Sequence, residues 1–168
     1  MKTFGLQSEN LAVRLPLQDR LSFAIHRINS LLQQLANPLF QEFGLDMVTS
    51  RVMVAILERE AVTVGELAEL LATPQPTVSH QVKRLDRLGY LSREPGRPDS
   101  RRVLLRLTPR GREVARSLDA YSREVMGLLE AAIGEGELGR VRAALARMDR
   151  ALRARRPGPA RRESSVDE

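Results

Sequence analysis

Between Pro76 and Arg87 the chain reads PTVSHQVKRLDR, and its Thr77, Ser79, His80, Lys83, Arg84 and Arg87 can all donate hydrogen bonds. At helical spacing Pro76, His80, Lys83, Arg84 and Arg87 centre on one face, flanked by Thr77 and Ser79, while Val78, Val82 and Leu85 line the opposite one. Hydroxyl and cationic donors on one helix face suit a partner rich in acceptors, such as phosphate oxygens and base edges. Covalent and metal chemistry are poorly served. There is no cysteine, and His26 and His80 stand 54 positions apart, neither with a carboxylate and hydroxyl at the spacing of a nucleophile motif. The stretch GEGELG, 134–139, lacks the strand before and the Lys-Ser/Thr after that a phosphate loop needs. No catalytic residue, metal ligand or cofactor is assigned, and an enzyme is not expected.

The surrounding residues say how that face is held. Thr73 is a natural N-cap, with Pro74 at the first helical position and Pro76 still inside the first turn, where amides lack intrahelical acceptors. Upstream, Thr63-x-x-Glu66 is a capping box that starts a two-turn helix at Val64. Before it, Thr49 or Ser50 caps a short helix ending near Glu60, with Val52, Met53 and Ile56 inward. Downstream, Gly89 ends the donor-faced helix. The stretches YLSRE and RRVLLRL then read as strands joined by PGRPDS, Val103, Leu105 and Leu107 alternating with Arg102, Leu104 and Arg106. The hairpin tip GRPDSRR carries Arg97, Arg101 and Arg102 about Asp99, and arginine at a loop tip can enter a narrow minor groove or grip phosphate. Two short helices, a tight link, a third helix with a polar face and a basic hairpin predict a winged helix-turn-helix. A helix roughly 10 to 12 Å across fits the major groove of B-DNA, so double-stranded DNA is the expected partner.

Charge placement agrees. The 168 residues hold 27 Lys/Arg and 21 Asp/Glu; ten of the former and three of the latter lie between Pro76 and Arg112, leaving 17 and 18 elsewhere. A regional excess of this kind suits a polyanion-binding face, although dispersed arginines also make an ordinary solvated surface. The longest uncharged run, Ile28 to Gln41, is 14 residues long and contains Asn, Ser and Gln, too short and too polar to span a bilayer. The N-terminus lacks the apolar core of a signal peptide, so a soluble cytoplasmic protein is expected.

Either side of the winged segment run apolar rows stepping by four and three: Leu21, Ile25, Ile28, Leu32, Leu35 and Leu39 first, then Val114, Leu118, Tyr121, Val125 and Leu128. After GEGELG comes a third, Leu138, Val141, Leu145, Met148 and Leu152. Rows this narrow pack helix against helix, and a small domain struggles to cover three of them from one chain. The expected class is therefore mainly α with a small β-hairpin wing. Its organisation is an N-terminal arm (1–17), a dimerisation helix (18–43), the winged helix-turn-helix (44–108), C-terminal dimerisation helices (109–153) and a disordered tail (154–168).

The segments FGLDMVTSRVMVAI, TVGELAELLATPQPTVSHQVKRLDRLGYLSRE and PDSRRVLLRLTPRG, spanning Phe43 to Gly111, resemble the MarR family of bacterial transcription regulators. The wing signature is Asp99, Arg101, Leu107, Thr108 and Gly111. The resemblance implies a homodimeric repressor with interlocked terminal helices, reading an inverted repeat. It places Thr77, Ser79, His80 and Arg84 in the major groove and Arg101 at the wing. Two positions depart from the family pattern, His80 where arginine is common and Lys83 where an acid is, so base preference does not transfer. The family also implies release by a small aromatic or phenolic anion, with Ser22, His26 and Arg51 as the polar candidates. A thiol switch is ruled out by the lack of cysteine. The competing reading is a winged-helix architectural protein that coats DNA without sequence preference.

Overall fold

The computed structural model describes residues 15–96 and 102–155. The chain divides into two compact units at Asp119 and Ala120. After a 3-10 turn at Leu17–Asp19, the elements are α1 (Leu21–Glu42), α2 (Met47–Arg59), α3 (Val64–Leu70), α4 (Gln75–Arg87), β1 (Leu91–Pro95), β2 (Val103–Leu107), α5 (Pro109–Ile133) and α6 (Glu135–Arg153). A mainly helical chain with one hairpin is the architecture the sequence predicts.

In the first unit α1 stops where glycine can turn left-handed: Gly44 sits at φ 70° and the Leu45 amide donates back to Phe40 O at 2.8 Å. Its buried anchors are Ala36 and Phe40, neither of them in the predicted row, whose Leu21, Ile25, Ile28 and Leu35 remain exposed. The helix start at α2 also differs from expectation. Asp46, not Thr49 or Ser50, is the N-cap; its carboxylate accepts the Thr49 amide at 2.8 Å while the Asp46 amide donates to Thr49 Oγ1 at 2.7 Å. An acid one turn earlier is the better acceptor for free amides at a helix start.

The capping box at α3 forms as read, the Thr63 amide donating to Glu66 Oε2 at 2.7 Å and the Glu66 amide to Thr63 Oγ1 at 3.2 Å. At α4 the expected cap is displaced by one residue. The Thr73 hydroxyl donates to Leu71 O at 3.0 Å, closing the preceding turn, and Pro74 at ψ 136° becomes the cap residue, leaving Pro76 at the second helical position. The inward stripe holds: Val78, Val82 and Leu85 are buried with Val52, Met53 and Ile56 of α2, Leu67 of α3 and Leu105 of β2.

The hairpin pairs Leu91 with Leu107 and Pro95 with Val103. Val62 adds a bridge absent from the sequence reading, its amide donating to Leu105 O at 3.2 Å and its carbonyl accepting from the Leu105 amide at 2.8 Å. Leu105 and Leu107 are buried, but Val103 is 45% exposed because the hairpin has by then left the core. Thr108 caps α5, accepting from the Gly111 amide at 3.0 Å, and Val114, Ala115 and Leu118 complete the core.

The second unit comprises the later turns of α5 and all of α6. Gly134, at φ 82°, separates them alone, so Gly136 and Gly139 lie inside α6 and the helix break is shorter than the six-residue interruption predicted. Arg142 bonds Glu130 across that break. Met126, Leu128, Leu145 and Leu152 are exposed, and α6 buries none of its residues. The expected tail (154–168), apart from Ala154 and Arg155, lies outside the described residues, as does the expected arm (1–17) before Leu15.

Candidate nucleic-acid interface

Helix α4 is positioned by its stripe and by both of its ends. The stripe sets it into the core. At its C-terminal end the Gly89 amide donates to Asp86 O and the Tyr90 amide to Leu85 O, with Gly89 at φ 75°. What remains outward is Pro76, Thr77, His80, Lys83 and Arg87, all exposed, with Ser79 half-buried at the margin. No carboxylate pairs with Lys83 or Arg87 among the described residues.

Arg84 behaves differently. Its Nη1 donates to Asp46 Oδ2 and its Nη2 to Gly44 O, each at 2.6 Å, so the guanidinium is engaged inside the domain. Burial works to raise the Asp46 carboxyl, but the Thr49 amide and hydroxyl and then Arg84 outweigh it, and its pKa stands below the usual aspartate range. Arg84 thus differs from the other donors of the polar face, its guanidinium leaning on a neighbouring turn.

The wing repeats the pattern at its base. Arg102 Nη2 donates to Glu66 Oε1 at 3.0 Å, so the capping-box acid of α3 also holds the root of the hairpin. The Thr63 amide and hydroxyl lower the Glu66 pKa against the opposing effect of burial, and Arg102 and Arg59 add to the lowering. Arg93 pairs with Asp86 at 3.0 Å and Arg106 with Glu94 at 2.8 Å. Folding thus brings Asp46 and Glu66 from outside the basic stretch to its arginines, and the free positive charge is narrower than the sequence count suggests. Arg97, Asp99 and Arg101 lie outside the described residues.

Sequence reading missed Asp46, Gly44 and Glu66 as holders of these arginines. The motif FGLD was in view, and an acid directly before a helix is a cap signal, but nothing local says that the same acid receives an arginine 38 positions on. The three residues proposed for a ligand are exposed: Ser22 and His26 one turn apart on α1, and Arg51 on α2. No hydrogen bond or ion pair joins them among the described residues.

A family model, that of the MarR family, matches residues 43–102, from the turn after α1 to the base of the wing. Over that segment the chain is similar to the MarR family. Members of that family are transcriptional regulators, not enzymes. The chain is 27% identical over 112 residues to the HTH-type transcriptional regulator TtmR of Methylorubrum extorquens (strain PA1), a match covering 67% of this chain and 57% of that protein. Among solved structures it resembles a "probable transcriptional regulator" from Pseudomonas aeruginosa, with TM-score 0.66 and 28% identity over 79% of this chain and 99% of the other. It also shares the fold of S. aureus MepR in a MepR–DNA complex, with TM-score 0.72 and 21% identity over 79% and 98% of the two chains.

Proposed function

We propose that this chain is a sequence-specific transcriptional regulator, acting as a repressor, that binds an inverted-repeat operator as a homodimer. The observation that carries the reading is the outward face of α4, where Thr77, His80, Lys83 and Arg87 stand exposed with Ser79 at the edge. Proline at the second position stiffens the first turn without breaking a hydrogen-bond ladder, so the donors sit on a rigid leading end of the kind that reaches base edges. Arg97, Arg101 and Arg102 are assigned with Asp99 to the wing, where the arginines grip phosphate or enter the minor groove. The apolar side chains left exposed on α1, α5 and α6, among them Leu21, Ile28, Leu128 and Leu145, support a second copy as the partner that covers them.

Release by a small aromatic or phenolic anion, with Ser22, His26 and Arg51 contributing, completes the proposal. Calorimetry with a panel of phenolic carboxylates tests that part; no heat of binding from a chain that still binds DNA removes it.

Selection from a random duplex pool tests the whole. The chain should enrich one palindromic sequence and bind it far more tightly than a scrambled duplex, specific complexes generally exceeding non-specific ones by about 10³-fold or more. Equal affinity for both duplexes would favour the non-specific architectural reading.

A further inference from the structure

We infer that Arg84 is a positioning residue: through Asp46 and Gly44 it fixes the angle at which α4 presents its leading donors. The inference rests on the DNA-reading role of α4 and assigns Arg84 to the protein side of that role rather than to a DNA contact.

Three features of the structure carry it. Both acceptors are themselves held: the Asp46 carboxylate by the Thr49 amide at 2.8 Å and hydroxyl at 3.0 Å, and Gly44 O by the left-handed turn that ends α1. The guanidinium fork meets them with two nitrogens at once, which specifies direction as well as distance. A second donor from the same end of the helix reaches the same turn, the Tyr90 hydroxyl donating to Phe43 O at 3.1 Å. Residues 43–46 therefore receive α4 at two points and the chain just past its C-terminal end at a third.

The apolar stripe cannot do this alone. Val78, Val82 and Leu85 set the depth of α4, but apolar contact is non-directional and tolerates rolling and tilting, whereas a hydrogen-bonded fork does not. From Arg84 to Thr77 is roughly 10 Å along a helix axis, so a tilt of about 10° at the brace displaces the leading turn by roughly 2 Å. That displacement is enough to break a hydrogen bond to a base edge while leaving looser phosphate contacts nearly intact.

The two possible roles of Arg84 predict opposite effects at Asp46. If Arg84 contacts DNA, removing Asp46 frees it and binding strengthens; if it positions α4, removing Asp46 weakens recognition. Serine is the suitable replacement because it retains an N-cap oxygen for α2. The full-length chain and the variants Asp46→Ser, Arg84→Ala, Arg84→Lys and the Asp46→Ser/Arg84→Ala double would be titrated against two probes. One is the duplex that the wild-type chain enriches from a random pool, the other a scrambled duplex of equal length, each at several salt concentrations. Each single variant should lose about tenfold on the enriched duplex, the double variant no more than the worse single, with scrambled-duplex affinity and salt slope little changed. Arg84→Lys keeps the charge but not the fork and should still lose preference for the enriched duplex. Tighter or unchanged binding by Asp46→Ser, or a salt slope lowered by about 0.9 per site in Arg84→Ala, overturns the inference and makes Arg84 a DNA contact. If the wild-type chain enriches no sequence, the DNA-reading role itself fails. The brace is then judged on the free protein by amide hydrogen exchange, where unchanged rates at residues 43–46 and in the first turn of α4 in Arg84→Ala overturn it.

Discussion

A Cβ on Gly111 would lie 2.0 Å from the carbonyl oxygen of Tyr90. That oxygen also accepts the Thr108 amide at 3.1 Å, and the Thr108 hydroxyl donates to Gly89 O at 2.7 Å. The first turn of α5 is thereby laid directly on the backbone that leads out of α4. The closing Thr-x-x-Gly of the wing signature has its physical reason here: threonine caps α5, and glycine permits the approach. Gly111→Ala must displace backbone, not a flexible side chain, and should destabilise the fold by at least about 1 to 3 kcal/mol, the usual cost of overpacking. Urea denaturation monitored by circular dichroism measures it; a loss under about 0.5 kcal/mol would mean that the contact relaxes freely.

Ala72 closes the turn between α3 and α4 at φ 50°, a conformation that costs a residue with a Cβ roughly 1 to 2 kcal/mol. Glycine avoids that strain but gives back part of the gain through its freer unfolded chain. Ala72→Gly should therefore raise stability modestly, by about 0.5 to 1 kcal/mol, and a lowered denaturation midpoint would refute the assignment of strain.

Acid should weaken the domain through two cap carboxylates. Asp46 and Glu66 both have folded pKa values below their ordinary ones of 3.8 and 4.5. For a depressed carboxylate the stabilisation is fully present above the ordinary value and lost as pH falls through the lower, folded one. Melting temperature should thus hold level at neutral pH and fall once pH drops below about 4.5 toward and past these folded values. In the Asp46→Ser/Glu66→Gln double variant that acid limb should be shallower; an identical limb would place the titrating groups elsewhere.

Leu145 is 50% exposed on α6 of the single chain, where a surface substitution ordinarily changes stability by no more than about 0.5 kcal/mol. If a second copy covers that row, Leu145→Glu buries an unpaired carboxylate and should convert dimer to monomer or aggregate. Light scattering decides it, and a variant that remains dimeric with unchanged stability moves the interface away from α6.

Arg87 is exposed on the last turn of α4 and, among the described residues, its Nε reaches only its own helix, at Lys83 O, 3.4 Å away. A phosphate contact there predicts that Arg87→Ala weakens enriched and scrambled duplexes alike and lowers the salt slope by about 0.9 per site. A loss confined to the enriched duplex would make Arg87 a base reader.

The sequence by itself determined the parts of this protein whose physics is local. The Thr63 and Glu66 box, the Val78, Val82 and Leu85 stripe and the helix end at Gly89 all rest on residues within one or two turns of one another. Periodicity and free amides specify such features before any tertiary contact forms. Boundaries shifted by a residue where two local solutions competed, as at Thr73 and Pro74, or where a stronger acceptor stood one turn earlier, as at Asp46. Tertiary structure alone decided what each charged side chain faces. Arg84 and Lys83 are neighbours on one helix face and are equivalent in sequence terms, yet one is spent on Asp46 and Gly44 while the other stands in solvent. Arg102 likewise finds Glu66, 36 positions away. Helical spacing gives the direction of a side chain relative to its own axis, whereas the partner waiting in that direction depends on how distant segments are brought together by burial of the core.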